Sequence, residues 1–153
     1  PAMGLDEKEM PWVYNCFDVM LSTTTGVGWD LTRHEGMACA IAQIAPQYSG
    51  LGEWAADAIM FVPCTSSVSH IGINTIGGIP DKRETVKALH RMYTEPETRR
   101  DYASRALTRA RDPRFRWEKI SDLFQCYLGQ MLIDARARAI EKAEKEKANV
   151  KEA

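Results

Sequence analysis

Short apolar blocks punctuate the first half of this chain, and a helical period takes over in the second. Between Asp18 and Pro46 an apolar run, Val19-Met20-Leu21, meets a turn of three threonines (Thr23, Thr24, Thr25) and then Gly26-Val27-Gly28. A helical pattern carrying Glu35 follows, and a second apolar run spans Ile41 to Ala45. The pattern predicts strand, glycine loop, helix, strand. In a parallel sheet that unit sets the amides of a helix N-terminus beside the carboxyl end of a strand, where anionic ligands bind. Function is expected there.

Upstream, Asp6 to Phe17 predicts a short helix with Asp6, Glu7 and Glu9 where the helix dipole favours acids, and with Trp12, Val13 and Cys16 sharing a face with Phe17. Pro11 moves the regular helix toward itself, because proline is tolerated only in the first turn. Residues 1–5 read as a cloning scar or linker. Downstream, Tyr48-Ser49-Gly50-Leu51-Gly52-Glu53-Trp54 mixes turn glycines with a helix start, and Ala58 to Pro63 predicts a third strand. Ser66, Ser67, Ser69 and His70 predict a polar loop, and Ile76-Gly77-Gly78-Ile79-Pro80-Asp81 a turn whose Asp81 caps a helix from Lys82 to about Thr94. Another helix runs from Pro96 to about Arg111 and stops at Asp112-Pro113. The last opens near Trp117 with an apolar stripe (Ile120, Leu123, Phe124, Tyr127, Leu128, Met131, Leu132) that predicts a docked amphipathic helix. Residues 134–153 are Ala-rich and charged all round, a solvated helical tail. Trp12, Tyr14, Trp117 and Tyr127 are expected to pack core and helix faces.

Composition narrows the class without changing this order. The 153 residues carry 20 Lys and Arg against 21 Asp and Glu, so nothing points to nucleic acid. No apolar run approaches the roughly 18 residues of a membrane span, and the expectation is a soluble cytoplasmic protein. Cys16, Cys39, Cys64 and Cys126 lie far apart without a CxxC pair, which fits buried free thiols rather than disulfides or zinc. His70 and His90 have no second ligand at metal spacing, so no metal is expected. Ser22, Ser49 and Ser66 lack a nucleophile-elbow context. The glycine loop is neither a P-loop, since no Lys-Ser/Thr follows Gly28, nor a dinucleotide fingerprint, since Leu31 stands at the third glycine.

Its details resemble something else. Phe17-Asp18-Val19-Met20-Leu21, Gly26-x-Gly28-Trp29-x-Leu31-Thr32 and Glu35-Gly36-Met37-Ala38-Cys39 are similar to the donor-site segment of retaining glycosyltransferases of family 4, with the GT-B fold. Gly52-Glu53-Trp54, Val62-Pro63, Gly77-Gly78-Ile79-Pro80, Arg91-Met92-Tyr93 and Phe115-Arg116-Trp117 continue the order, so the resemblance extends to about Leu132. It implies an α/β fold: a partial doubly wound, Rossmann-like parallel sheet with flanking helices and a long C-terminal helix. Residues 6–133 would be the second half of a nucleotide-sugar-binding domain. The donor, a nucleoside-diphosphate hexose, would be bound without a cofactor or metal by Gly26, Gly28, Trp29, Asp30, Leu31 and Thr32, with Glu35 on the ribose hydroxyls.

Three positions depart from the family pattern. Val27 stands where a glutamate contacts the donor sugar, Asp30 and Ala40 stand where the family has glycine, and Asp30 places negative charge near the expected diphosphate. The family's diphosphate-binding Arg and Lys fall upstream of these residues, and Arg33 reads as a surface charge. No turnover is therefore expected of this chain alone. An alternative implication is a non-catalytic interaction or assembly module with a degenerate donor site. Half a doubly wound sheet leaves the strand after Asp18 with a bare edge, which is expected to pair with a second copy or a complementary chain.

Overall fold

A computed structural model describes residues 4–69, 72 and 75–151, with side chains to 142. The chain folds as two compact units, residues 1–111 and 112–153. The first is a mixed α/β unit built on a three-stranded parallel sheet.

The strands are β1 (Val19–Leu21), β2 (Ala42–Pro46) and β3 (Met60–Val62), in the spatial order β1-β2-β3. Val19 pairs with Ala42 and Ile44 with Met60. The crossover between β1 and β2 carries helix α2 (Leu31–Ala38), as the sequence pattern requires of parallel neighbours. Every residue of β2 is buried, as expected of a central strand covered on both faces. The core joins Ala42, Ile44, Met60 and Val62 to Ala88 and Met92 of α4 (Lys82–Thr94), and Tyr102 and Ala103 of α5 (Pro96–Ala110) close over it. At the alternate position of β2, Gln43 faces α2. A Cβ at Gly36 would come within 2.5 Å of Met20 Sδ and 2.8 Å of Gln43 Nε2, so a larger residue there would have to displace both side chains.

Caps follow the sequence closely. The Asp81 carboxylate accepts hydrogen bonds from the Arg83 and Glu84 amides, which open α4 and hold that carboxyl below its usual range. Pro96 sits in the first turn of α5. Arg109 bonds the Asp57 carboxylate and Arg105 the Asp57 carbonyl, tying α5 to the 3₁₀ turn Ala56–Ala58 after the short helix α3 (Leu51–Trp54).

Several expectations change. The first helix, α1 (Met10–Tyr14), is five residues long: its first i→i−4 bond runs from the Val13 amide to the Glu9 carbonyl, with Pro11 in the first turn where its missing N–H costs nothing. The serine stretch is not a loop: Cys64–Ser69 forms β4, paired antiparallel with β5 (Ile76–Pro80), which was expected to be a turn. Their exposed serines (Ser66, Ser67, Ser69) and buried glycines (Gly77, Gly78) carry no apolar alternation, yet the backbone ladder forms. His70, expected in that loop, lies outside the described residues. Of the four aromatic residues expected to be buried, only Tyr14 is; Trp12, Trp117 and Tyr127 are exposed. The free cysteines Cys16 and Cys126 are exposed rather than buried.

In the second unit a 3₁₀ turn, Pro113–Phe115, leads into α6 (Trp117–Lys151), which continues through the charged tail. Its apolar stripe, expected to be docked, is exposed. Among the described residues no helix is long and apolar enough to cross a membrane.

Candidate functional site

The loop after β1 is held by hydrogen bonds its own sequence does not announce. The Ser49 hydroxyl accepts from the Val27 amide at 2.8 Å and donates to the Val27 carbonyl at 2.7 Å. The Gly50 amide adds a bond to the same carbonyl. The two segments lie so close that a Cβ on Gly50 would stand 2.0 Å from the Gly28 carbonyl oxygen. Ser49 itself adopts φ 53°, a left-handed conformation that aims its side chain into the loop. On the other side, the Gly78 amide bonds the Thr25 carbonyl at 2.7 Å and the Tyr48 hydroxyl bonds the Ile76 carbonyl at 2.7 Å. The β4–β5 hairpin is thereby fixed against the loop.

These three segments enclose a cleft of about 390 Å³ beyond the carboxyl ends of the parallel strands. Gly26, Val27 and Gly28 form one wall, Tyr48, Ser49 and Gly50 a second, and Thr75, Ile76 and Gly77 a third. Among the described residues no charged side chain lines it. Its polar equipment is hydroxyl groups and backbone, suited to a neutral, hydroxyl-rich ligand and unable by itself to neutralise a diphosphate.

The start of α2 is occupied by the protein's own carboxylate. Asp30, at φ 61°, caps α2 by accepting from the Arg33 amide at 3.3 Å and from the Thr32 hydroxyl at 2.7 Å. Arg33 is not a surface charge, as the sequence suggested. It is buried, with Nε 3.7 Å from Asp30, Nη1 donating to Gln43 Oε1 at 2.8 Å and Nη2 reaching the Leu21 carbonyl. Burial lowers its pKa, and the neighbouring Asp30 opposes that shift. The pair offsets the charge that Asp30 brings to the helix start.

The other expected donor-site residues are scattered. Trp29 stacks on Trp54 with centroids 4.6 Å apart, and His34 meets both rings edge-on, so this indole braces the loop against α3. Leu31 is exposed on the first turn of α2. Glu35 accepts a 2.5 Å hydrogen bond from Tyr14 and lines a different cleft with Met10, Pro11, Ala38 and Cys39. Burial, reinforced by the Glu35 carboxylate, pushes the Tyr14 hydroxyl up to about 12. Burial raises the Cys39 thiol too, which keeps it protonated and unreactive. Among the described residues no three His, Cys, Asp or Glu side chains are grouped to hold a metal.

Gly26, Val27 and Gly28 are thus gathered in one cleft, while Glu35 sits in another. Thr25, Tyr48, Ser49, Gly50, Thr75, Ile76 and Gly77 line the cleft without having been expected at the site. Tyr48-Ser49-Gly50 was legible as a turn, but its pairing with Val27 spans 22 positions and leaves no local signal. The chain matches no protein-family model, and no curated protein matches it in sequence.

Proposed function

We propose that this chain is the nucleotide-sugar-binding portion of a retaining glycosyltransferase, half of a doubly wound, Rossmann-like domain, that receives the hexose of its donor in the glycine-loop cleft. The observation that carries the reading is backbone geometry. Asp30 and Ala40 stand where the resembled family has glycine, and they adopt φ 61° and φ 57°, the left-handed region that glycine occupies without strain. Both positions hold a backbone conformation that glycine favours while carrying side chains that strain it, which supports the resemblance. An uncharged cleft at the carboxyl ends of parallel strands suits a sugar ring. The cations for the diphosphate must then come from another segment.

A second reading has its own support: a non-catalytic assembly module that kept the fold. Asp30 blocks the amides that would meet a diphosphate, Val27 offers the sugar no carboxylate, and Tyr14 already engages Glu35. The outer edge of β1, which pairs only with β2 among the described residues, is where a strand from a second copy or a complementary chain would add.

Calorimetric titration with UDP- and GDP-hexoses separates the two. Weak binding is expected for the natural chain, and Val27→Glu combined with Asp30→Gly is expected to tighten it about tenfold by supplying one charge-assisted hydrogen bond and removing one like charge. No heat at millimolar ligand from either protein would exclude the donor-site reading and leave the assembly module.

A further inference from the structure

α6 carries an exposed apolar seam. Trp117, Ile120, Phe124, Tyr127 and Met131 recur at alternating spacings of three and four, the repeat of a helix that packs along another helix. Leu123, Leu128 and Leu132 widen the seam into a face. The exposure of these eight side chains runs from 38% at Ile120 to 79% at Trp117. Since an aromatic side chain carries about 150–250 Å², together they present on the order of 1,000 Å² of apolar surface. The largest apolar patch on an ordinary monomer is about 300–600 Å², and each side of a stable interface contributes about 800 Å². One helix therefore offers the area that a dimer needs.

We propose that α6 pairs antiparallel with α6 of a second copy of this chain. The seam is compatible with itself in one register. Centred between Gln125 and Cys126, an antiparallel pair sets Phe124 on the partner's Tyr127 and Ile120 on the partner's Met131, and the two-fold axis repeats both layers. The same register explains where the seam stops. α6 begins at Trp117, so the partner's helix begins opposite Asp134, the first charged residue to interrupt the a/d repeat. Beyond that point α6 has no facing helix, and its sequence is charged on every side. A parallel pair would have no such boundary and would set Asp134 against the partner's Asp134, a like-charge contact that opposes pairing. The seam from Trp117 to Met131 carries no charge, so nothing in it selects a charged partner.

Sedimentation equilibrium of the full chain tests this. A dimer is expected at micromolar concentration. Phe124→Glu with Met131→Glu is expected to abolish it without changing the far-ultraviolet circular dichroism, because both side chains are already exposed. Val86→Glu with Tyr93→Glu, on the exposed face of α4, is expected to leave the dimer intact. The register has its own test: Trp117→Glu should weaken the dimer by facing the partner's Asp134, and adding Asp134→Lys should restore it. In a parallel pair each substituted residue would face its own copy, and nothing would be restored. A natural chain that stays monomeric at its highest soluble concentration would overturn the proposal. So would a dimer indifferent to Phe124→Glu with Met131→Glu, since its interface would then lie elsewhere, as at the β1 edge. Failure of Asp134→Lys to restore pairing would overturn the antiparallel register.

Discussion

Ser49 does for the glycine loop what a regular ladder does for a strand: one hydroxyl satisfies both backbone groups of Val27. Ser49→Ala removes two hydrogen bonds of about 0.5–1.5 kcal/mol each, so a loss of about 1–2 kcal/mol is expected in urea unfolding. Faster hydrogen exchange at the Val27 amide would localise it. Ala40 offers the opposite experiment. Its φ of 57° costs an alanine about 1–2 kcal/mol relative to a right-handed conformation. Glycine avoids that strain but adds unfolded-state entropy, and Ala40→Gly is therefore expected to stabilise the chain by about 1 kcal/mol, read as a raised Tm. Tyr14 has a pH signature. In the folded chain its hydroxyl holds its proton to about 12, against 10.0 for the ordinary group, so the folded state binds that proton more tightly. The stabilisation is complete below pH 10 and is lost as pH rises from 10 toward 12. Tyr14→Phe is expected to lower stability by roughly 1 kcal/mol below pH 10, because Glu35 is exposed and water replaces the lost donor. The variant should also fall less steeply than the natural chain above pH 10, in denaturant titrations at each pH.

At the scale of elements, what was legible depended on whether the signal was local. The β1–α2–β2 unit was readable because apolar runs bracket a glycine turn and a capped helix, and each of those signals lies within a few residues of its effect. Asp81, Pro96 and Asp112 placed the ends of α4 and α5 to within a residue or two for the same reason. The β4–β5 hairpin was not readable. Its strands hold serine and glycine, which have little strand preference, and the pairing is stabilised by contacts from elsewhere: Tyr48 reaching Ile76 and Gly78 reaching Thr25. Those contacts predict how the hairpin fails. A Cβ on Gly78 would lie 2.6 Å from the Tyr48 ring and 2.9 Å from Cys64 Sγ, both held in place by the fold. Gly78→Ala is expected to cost about 1–3 kcal/mol through overpacking. The loss should appear first as faster amide exchange in β4 and β5, while β2 keeps its protection. Equal loss in β2 would mean that the hairpin and the parallel sheet unfold together.

For the molecule as a whole, the core and the apolar face of α6 belong to different units, and their roles should be separable. All six residues of the central cluster, from Ala42 to Met92, lie within the first unit, as do the cleft and the Arg33–Gln43 network. The stripe on α6 belongs to the second. The sequence made the stripe visible as an amphipathic pattern, but periodicity records only that a face is apolar, and nothing in it distinguishes a face covered by its own chain from one covered by another. A chain ending at Arg111 decides how the two units divide the work. It should retain cooperative unfolding, because no residue of the central cluster has been removed, and it should lose the self-association assigned to α6. Thermal unfolding followed by near-ultraviolet circular dichroism reads the first expectation through Trp29 and Trp54, which stack within the retained unit. Sedimentation reads the second. A shortened chain without a cooperative transition would mean that the first unit depends on α6 for its stability, and that the exposed stripe of the full chain is part of its fold rather than a surface for a second copy.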